Sequence, residues 1–180
     1  MELKQNHFEL FGLPVAFEVD TQQLAERYRE LQRTLHPDRY ANASDRERRL
    51  SIQHAAQVNE AFQTLKSSLP RARYLLQLKG IAFDDEKETH LDPEFLMEQM
   101  ELREALADVR MESDPLAGLN RIMADIKSKQ TIMQDQLREL FAEDSEAKRL
   151  AAKQLVQKMQ FLVRLQEEAE ELEEELLTDL

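Results

Sequence analysis

Apolar residues recur every three or four positions along most of the chain, and this spacing predicts α-helices. One apolar stripe ends at Leu35, and a second runs from Leu50 to Leu65 in a helix that a Ser44–Glu47 capping box would open. Between them, Pro37 cannot lie inside a helix and disfavours helical geometry at the residue before it, so the first helix must end at His36. Two helices of similar length joined by a short break normally pack antiparallel, so we predict a helical hairpin. The stripe of its second helix comprises Leu50, Val58, Ala61, Phe62 and Leu65.

Shorter helices flank the predicted hairpin. Asn6 and Glu9 have the spacing of a capping box, in which each side chain bonds the backbone of the other residue, and would open a first short helix. Gly80 occupies the stop position of a fourth helix that begins near Pro70. From residue 81 to residue 91 the periodicity is lost and charge accumulates. This segment is therefore predicted to be a linker that follows a first domain of residues 1–80.

The remaining residues, 92–180, carry three long helical patterns. Two of these open with an aspartate followed by proline, at residues 92 and 114, a combination typical of an N-cap and a first helical turn. In the last two patterns the apolar residues keep the heptad-like spacing of coiled coils. We therefore predict a C-terminal domain of three bundled helices and an all-α fold for the whole chain.

Composition narrows the classes of function. The formal net charge is −12, so the chain should not attract nucleic acid or anionic membranes. It contains no cysteine, which excludes disulfides, thiolate metal sites and ligation of an iron–sulfur cluster by its own thiolates. Its four histidines are scattered without metal-ligand spacing, so we expect neither a cofactor nor catalysis by this chain. Neither a signal sequence nor a long apolar span is evident, which indicates a cytoplasmic protein.

The tripeptide His36-Pro37-Asp38 falls between the two hairpin helices. Because proline restricts the backbone, this loop can present an imidazole and a carboxylate to a partner with little conformational entropy left to lose. Positive charge gathers nearby on an otherwise acidic chain and would steer an acidic partner surface toward the loop. The residues that carry this charge are Arg27, Arg29, Arg33 and Arg39. The alternative is a plain interhelical turn in which Asp38 only caps backbone groups.

The first helical segment of the predicted bundle, residues 92–110, is apolar on two sides, whereas a surface helix needs only one apolar face. The residues on the face expected in the core are Phe95, Leu102, Leu106 and Val109. The opposite face carries three apolar residues beside an acidic rim, namely Leu96, Met97, Met100, Glu101, Glu104 and Asp108. An apolar patch with a charged rim is typical of a docking site. The alternative is that the apolar residues pack between the two domains.

The arrangement of these motifs resembles a known family. A short helix, an arginine-bearing helix that ends at His36-Pro37-Asp38, and a capped helix that contains Asn59-Glu60-Ala61-Phe62 together resemble a J domain. The stretch of residues 95–104 is similar to the equivalent stretch of HscB-type co-chaperones of iron–sulfur cluster biogenesis. This likeness covers nearly the whole chain.

The resemblance implies that an N-terminal J domain binds a specialised ATP-dependent heat-shock chaperone (HscA type) through the tripeptide and the arginines, and stimulates its ATP hydrolysis. It also implies that the C-terminal domain holds the iron–sulfur cluster scaffold protein (IscU type) through the docking site and delivers it to that chaperone. Phe161 matches a further scaffold contact of the family, although its place at the edge of its helical stripe suits the core equally well. An acidic helical adaptor, or a general J protein with another client, remains an open alternative.

Overall fold

The computed structural model describes residues 5–36, 44–83 and 93–178. Within these ranges every regular element is a helix, which confirms the predicted all-α fold. The chain forms two compact units, Met1–Lys79 and Gly80–Leu180. None of the described helices is both long and apolar enough to cross a membrane.

In the described residues of the first unit, the regular structure consists of four helices. They are α1 (His7–Leu10), α2 (Thr21–Leu35), α3 (Asp45–Lys66) and α4 (Ser68–Leu78). The predicted capping box opens α1, because the Asn6 side chain accepts a hydrogen bond from the Glu9 amide and the Glu9 carboxylate accepts one from the Asn6 amide. Gly80 follows α4 with a φ of +80°, a left-handed conformation that glycine adopts without strain. The main core residues of this unit are Phe8, Phe11, Leu24, Val58, Leu65, Leu75 and Leu76.

Helices α2 and α3 form the predicted antiparallel hairpin. The Ser51 hydroxyl donates to the Leu35 carbonyl oxygen over 3.3 Å, and the rings of Tyr28 and Phe62 stack with their centroids 4.0 Å apart. Because the end of α2 meets the beginning of α3, the two helices run in opposite directions. Leu50 belongs to the predicted apolar stripe, yet it is 38 % exposed. At about 100° per residue, Leu50 lies about 80° from Val58 around α3, at the edge of the buried stripe.

Over residues 93–178, the second unit contains the predicted bundle of three α-helices. They are α5 (Pro93–Asp108), α6 (Pro115–Phe141) and α7 (Glu146–Thr178). Asp114 caps α6, since its carboxylate accepts a hydrogen bond from the Ala117 amide over 3.0 Å. One core extends through all three helices and includes Leu102, Leu106, Val109, Leu119, Ile126, Leu162, Leu165 and Ala169.

The helical segment predicted for residues 92–110 differs from the structure at its end, because α5 stops at Asp108 and a 3₁₀ turn, Val109–Met111, follows. This turn packs closely on the start of α6. A Cβ atom at Gly118 would lie only 2.8 Å from Val109 Cγ2, so glycine is what allows the approach. The fully buried Val109 therefore joins the core even though it lies outside the α-helix.

Candidate functional site

The hairpin places His36 at the end of α2. This residue is exposed, and its backbone has left the helical region, with φ −59° and ψ 132°. Such an extended conformation is what a following proline favours, so the sequence argument for the helix end is confirmed. Pro37, Asp38 and Arg39 lie outside the described residues.

A shallow cavity of about 370 Å³ lies between α2 and α3 at this end of the hairpin. Its lining includes Arg29, Arg33 and His36, so the structure brings these three predicted residues together. Arg27 lines a different hollow, beside α1, and pairs with Glu30 over 3.3 Å. We call the group of Arg29, Arg33 and His36 the hairpin end.

A polar and aromatic cluster fixes the two helices behind the hairpin end. The Tyr28 hydroxyl donates to Asn59 Oδ1 over 2.9 Å, and Gln32 Nε2 donates to the same hydroxyl over 2.5 Å. The stacking of Tyr28 on Phe62 adds an apolar contact to these bonds. These contacts limit sliding of α2 against α3, so the arginines keep their position relative to the loop.

The two-faced helix is present as predicted. Phe95 is buried on one side of α5, whereas Leu96, Met97 and Met100 are 42 %, 64 % and 63 % exposed on the other. Glu101, Glu104 and Asp108 are exposed as well. We call the following six exposed residues the α5 patch: Leu96, Met97, Met100, Glu101, Glu104 and Asp108. Three exposed apolar side chains beside three carboxylates form the mixed surface that a docking site needs.

Phe161 of α7 is half-buried next to the α5 patch. Its ring meets the ring of Phe95 edge-on, with centroids 5.8 Å apart and planes at 87°. The guanidinium of Arg103 lies over Phe161, 5.4 Å from the ring centroid, and the ammonium of Lys158 lies 5.0 Å from that of Phe95. Phe161 therefore helps to join α5 to α7. Sequence reasoning missed Arg103 and Lys158, because no helical spacing reveals a contact between two helices.

An ion pair joins α5 to α6 beside the patch. Lys129 Nζ lies 2.5 Å from Glu98 Oε1 and 3.8 Å from Asp125 Oδ2. The hydrogen bond that Lys129 donates to the Glu98 carboxylate raises the pKa of Lys129, and burial offsets only part of this effect. Glu98 also lines a hollow of about 610 Å³ together with Met97, Glu101 and Lys158. The pair holds the start of α5 in place, which keeps the exposed apolar side chains in a fixed position.

Metal-binding chemistry finds no support in the described ranges, where no three His, Cys, Asp or Glu side chains come together as a metal ion would need.

Comparison with known proteins identifies the family. The family model described as the HSCB C-terminal oligomerisation domain matches residues 91–170. The co-chaperone protein HscB homolog of Vibrio cholerae is 46 % identical over 173 residues, which cover 96 % of this chain and 99 % of the relative. The chain belongs to the HscB co-chaperone family. The HscB homolog of Shewanella halifaxensis agrees with this, at 43 % identity over 95 % of this chain and 98 % of its own length.

Solved structures of HscB proteins have the same fold. Chaperone HscB from Vibrio cholerae gives a TM-score of 0.85 at 43 % identity and covers 96 % of this chain and 99 % of its own. Human co-chaperone HscB gives 0.86 at 32 % identity, over 94 % of this chain and 83 % of its own. The yeast co-chaperone Jac1, at 21 % identity and a TM-score of 0.73, shares the fold over 95 % of each chain. The resemblance of the sequence to HscB-type J-domain co-chaperones is thereby confirmed.

Proposed function

We propose that this HscB family member uses the hairpin end to activate an ATP-dependent heat-shock chaperone of the HscA type. The α5 patch binds the iron–sulfur cluster scaffold protein of the IscU type, so that the scaffold is delivered to the chaperone for cluster transfer. The observation that carries this proposal is the α5 patch, three exposed apolar side chains on a helix whose opposite face is already buried in a core. ATP hydrolysis belongs to the partner, and this chain contributes binding surfaces.

The charge of the hairpin end supports the chaperone-binding half of the proposal. Arg29 and Arg33 are exposed beside His36 on a chain whose formal net charge is −12. A local positive surface on an acidic protein orients an acidic partner surface toward it and raises the association rate. Asp38 would then supply the carboxylate that the bound chaperone recognises, and Pro37 would limit the entropy lost on binding. Arg27, which faces another hollow and pairs with Glu30, has at most a peripheral part in this contact.

Asp38→Asn tests the chaperone-binding half. It removes one negative charge from the loop without a change of size, and we expect stimulation of the chaperone's steady-state ATPase to be lost while the helix content stays the same. Asp135→Asn is a matched control, because Asp135 is an exposed aspartate of α6 and its replacement changes the net charge equally. Full stimulation by Asp38→Asn would refute a role of the tripeptide in activation.

The apolar side chains of the α5 patch support the scaffold-binding half. Burying the exposed parts of Leu96, Met97 and Met100 against a partner removes apolar surface from water, which favours the complex. Methionine side chains adapt their shape to a partner more easily than branched ones. The carboxylates of Glu101 and Glu104 would then select a scaffold surface that carries positive charge.

Replacement of Leu96, Met97 and Met100 together by serine tests the scaffold-binding half. We expect scaffold affinity, measured by calorimetry, to fall by about tenfold or more, because 1.4 kcal/mol of lost binding energy already gives that factor. The control is a triple serine variant of three other exposed apolar residues of the same unit, Met111, Ile132 and Leu177.

Comparable affinities for the two triple variants would show that the α5 patch does not bind the scaffold. Stimulation of the chaperone's ATPase with no scaffold binding by the unmodified protein would instead indicate a J protein that serves another client.

A further inference from the structure

Methionine is the oxidisable sulfur residue of this chain, which contains seven methionines and no cysteine. Exposure separates the described methionines into two groups. Met97, Met100 and Met111 are 64 %, 63 % and 90 % exposed, whereas Met159 is buried in the core and only 1 % exposed. Two further methionines are partly buried against the core of the bundle, namely Met123 and Met133. A dissolved oxidant therefore reaches the first three side chains most easily.

Two of the exposed methionines lie side by side in the α5 patch. At about 100° per residue, Met100 lies between Leu96 and Met97 around α5, about 40° from the first and about 60° from the second. Both methionines are more exposed than Leu96. The apolar part of the patch therefore consists mainly of thioether side chains. Met111 lies outside the patch, in the 3₁₀ turn that follows α5.

Other side chains anchor α5 in the bundle. Phe95 and Leu106 are buried on the core side of the helix, and Glu98 pairs with Lys129 of α6. A change of polarity at the two methionines of the patch should therefore alter the surface of α5 without unfolding the bundle.

Hydrogen peroxide converts a methionine thioether to a sulfoxide. A sulfur lone pair attacks one peroxide oxygen, and the O–O bond breaks as the new S–O bond forms. The second oxygen takes up the proton of the transferred oxygen and leaves as water. Sulfur loses two electrons in this step, and the peroxide gains them. A polar, chiral side chain then stands in place of a flexible apolar one.

A sulfoxide in the α5 patch opposes burial against a partner. Its oxygen accepts hydrogen bonds, which water supplies on the free surface. A partner surface that matches apolar side chains offers no donor at that point, so burial leaves the oxygen unpaired. The cost of one unpaired polar group is large enough to weaken a complex by about tenfold.

We propose that Met97 and Met100 are the sites of a reversible oxidation that switches scaffold binding off. Peroxide converts both to sulfoxides, and the α5 patch loses its apolar character. Methionine sulfoxide reductases, which take two electrons from thiols and release the oxygen as water, restore the patch. The inference rests on the proposed scaffold-binding function and adds a means of regulating it.

The test treats the full-length protein alone with hydrogen peroxide, removes the peroxide with catalase, and then measures scaffold affinity by calorimetry. Peptide mass spectrometry gives the sulfoxide fraction at each methionine. We expect Met97 and Met100 to be oxidised well before Met159, and the affinity to fall by about tenfold or more. Incubation with dithiothreitol and both classes of methionine sulfoxide reductase, one for each sulfoxide epimer, should return the affinity to within about twofold of its untreated value.

Leucine variants locate the effect. Met97→Leu/Met100→Leu carries two apolar side chains of similar volume that peroxide does not oxidise. Each protein is compared with itself before and after peroxide, so a different starting affinity of a variant does not enter the result. The double variant should lose less than about twofold, whereas the matched control Met111→Leu should still lose about tenfold, because Met111 is exposed outside the patch.

A glutamine variant tests the inference without an oxidant. Met97→Gln/Met100→Gln places a carbonyl oxygen on the δ atom of each side chain, where the sulfoxide would carry its own oxygen. We expect its scaffold affinity to be lower than that of the unmodified protein by about tenfold or more, with the same helix content. Full affinity of this variant would contradict the switch.

Two further results would overturn the proposal. One is unchanged affinity of the unmodified protein after both methionines are fully oxidised. The other is an equal loss in the double leucine variant, which would place the damage elsewhere in the chain. Absence of scaffold binding by the untreated protein would instead refute the proposed function, whereas binding that survives oxidation refutes only the switch.

Discussion

Arg71 shows how a single polar side chain supports the core of the first unit. Although charged, it is 92 % buried, since only 8 % of its surface is exposed. Its Nη1 donates to the Leu65 carbonyl oxygen over 2.6 Å, and its guanidinium lies 5.2 Å from the centroid of the Phe17 ring. Burial lowers the pKa of Arg71, an effect that the negative charge of Glu18 offsets in part. The side chain thus ties the end of α3 to the loop before α2.

Replacement of Arg71 by alanine should destabilise the protein by about 2–4 kcal/mol, because it leaves the Leu65 carbonyl oxygen without this donor and opens space beside Phe17. Urea unfolding followed by circular dichroism measures the loss. Gln77→Ala on the same helix is a suitable control, since Gln77 is exposed and its replacement should change stability by less than about 0.5 kcal/mol. Equal stability of the two variants would contradict a structural role for Arg71.

His7 makes the stability of the first unit depend on pH. Its ring stacks on Tyr74 with centroids 4.1 Å apart, and its backbone amide donates to the Tyr74 hydroxyl over 3.0 Å. Burial lowers the pKa of His7, and the nearby charge of Glu60 raises it by less. The unfolded chain therefore binds a proton at higher pH than the folded one does, so the contribution of His7 is complete above about pH 6.5 and is lost as the pH falls below that value.

We expect the urea midpoint of the unmodified protein to fall more steeply between about pH 7.5 and 5.5 than that of His7→Gln, since glutamine does not titrate. His54→Gln serves as the comparison, because His54 is a second half-exposed histidine of the same unit. Parallel pH profiles for the unmodified protein and His7→Gln would disprove the effect.

The approach of α6 to the turn after α5 depends on Gly118. A Cβ atom there would lie 2.6 Å from Glu112 Oε2 and 2.8 Å from Val109 Cγ2. The glutamate is flexible and can move aside, whereas Val109 is fully buried and cannot. Helix propensity alone favours alanine over glycine by about 1 kcal/mol, while overpacking a core costs about 1–3 kcal/mol.

Gly118→Ala should therefore lower the free energy of unfolding by about 1 kcal/mol in spite of its better helix propensity. The control is Asn120→Ala, two residues further along α6. Because Asn120 is exposed, this substitution changes helix propensity without creating a clash. If Gly118→Ala were more stable than the unmodified protein, the 3₁₀ turn after α5 could shift without a loss of stability.

The sequence was sufficient to predict the features that depend only on residues close together along the chain. The capping box at Asn6, the helix end at His36 and the two faces of α5 all follow from residues within a few positions of one another. The contact of Arg103 with Phe161 and the burial of Arg71 depend on the packing of separate helices, which spacing along one helix does not specify. The 3₁₀ turn at the end of α5 has the same kind of cause, because Gly118 lies on the next helix.

At the scale of the whole molecule, the two candidate surfaces belong to units with separate cores. The hairpin end lies in the unit Met1–Lys79, and the α5 patch lies in Gly80–Leu180. Mutations at sites that share no partner residues usually have additive effects. We therefore expect the two proposed activities to be lost independently of each other.

Two of the proposed variants measure this independence. Asp38→Asn should bind the scaffold with unchanged affinity, and the triple serine variant of the α5 patch should still stimulate the chaperone's ATPase when no scaffold is present. Their combination should show both defects at the sizes seen separately. A loss of scaffold affinity in Asp38→Asn beyond about twofold would instead reveal coupling between the two sites.

The stacked pair of Tyr28 and Phe62 has a consequence for how this fold can vary. The two rings stack with their centroids 4.0 Å apart, and the hydroxyl of Tyr28 also engages Asn59 and Gln32. A substitution at position 28 or 62 removes the stacking partner of the ring at the other position. We therefore expect positions 28 and 62 to covary among HscB sequences. Relatives without a ring at one position should favour an aliphatic residue at both, and such exchanges should arise as pairs.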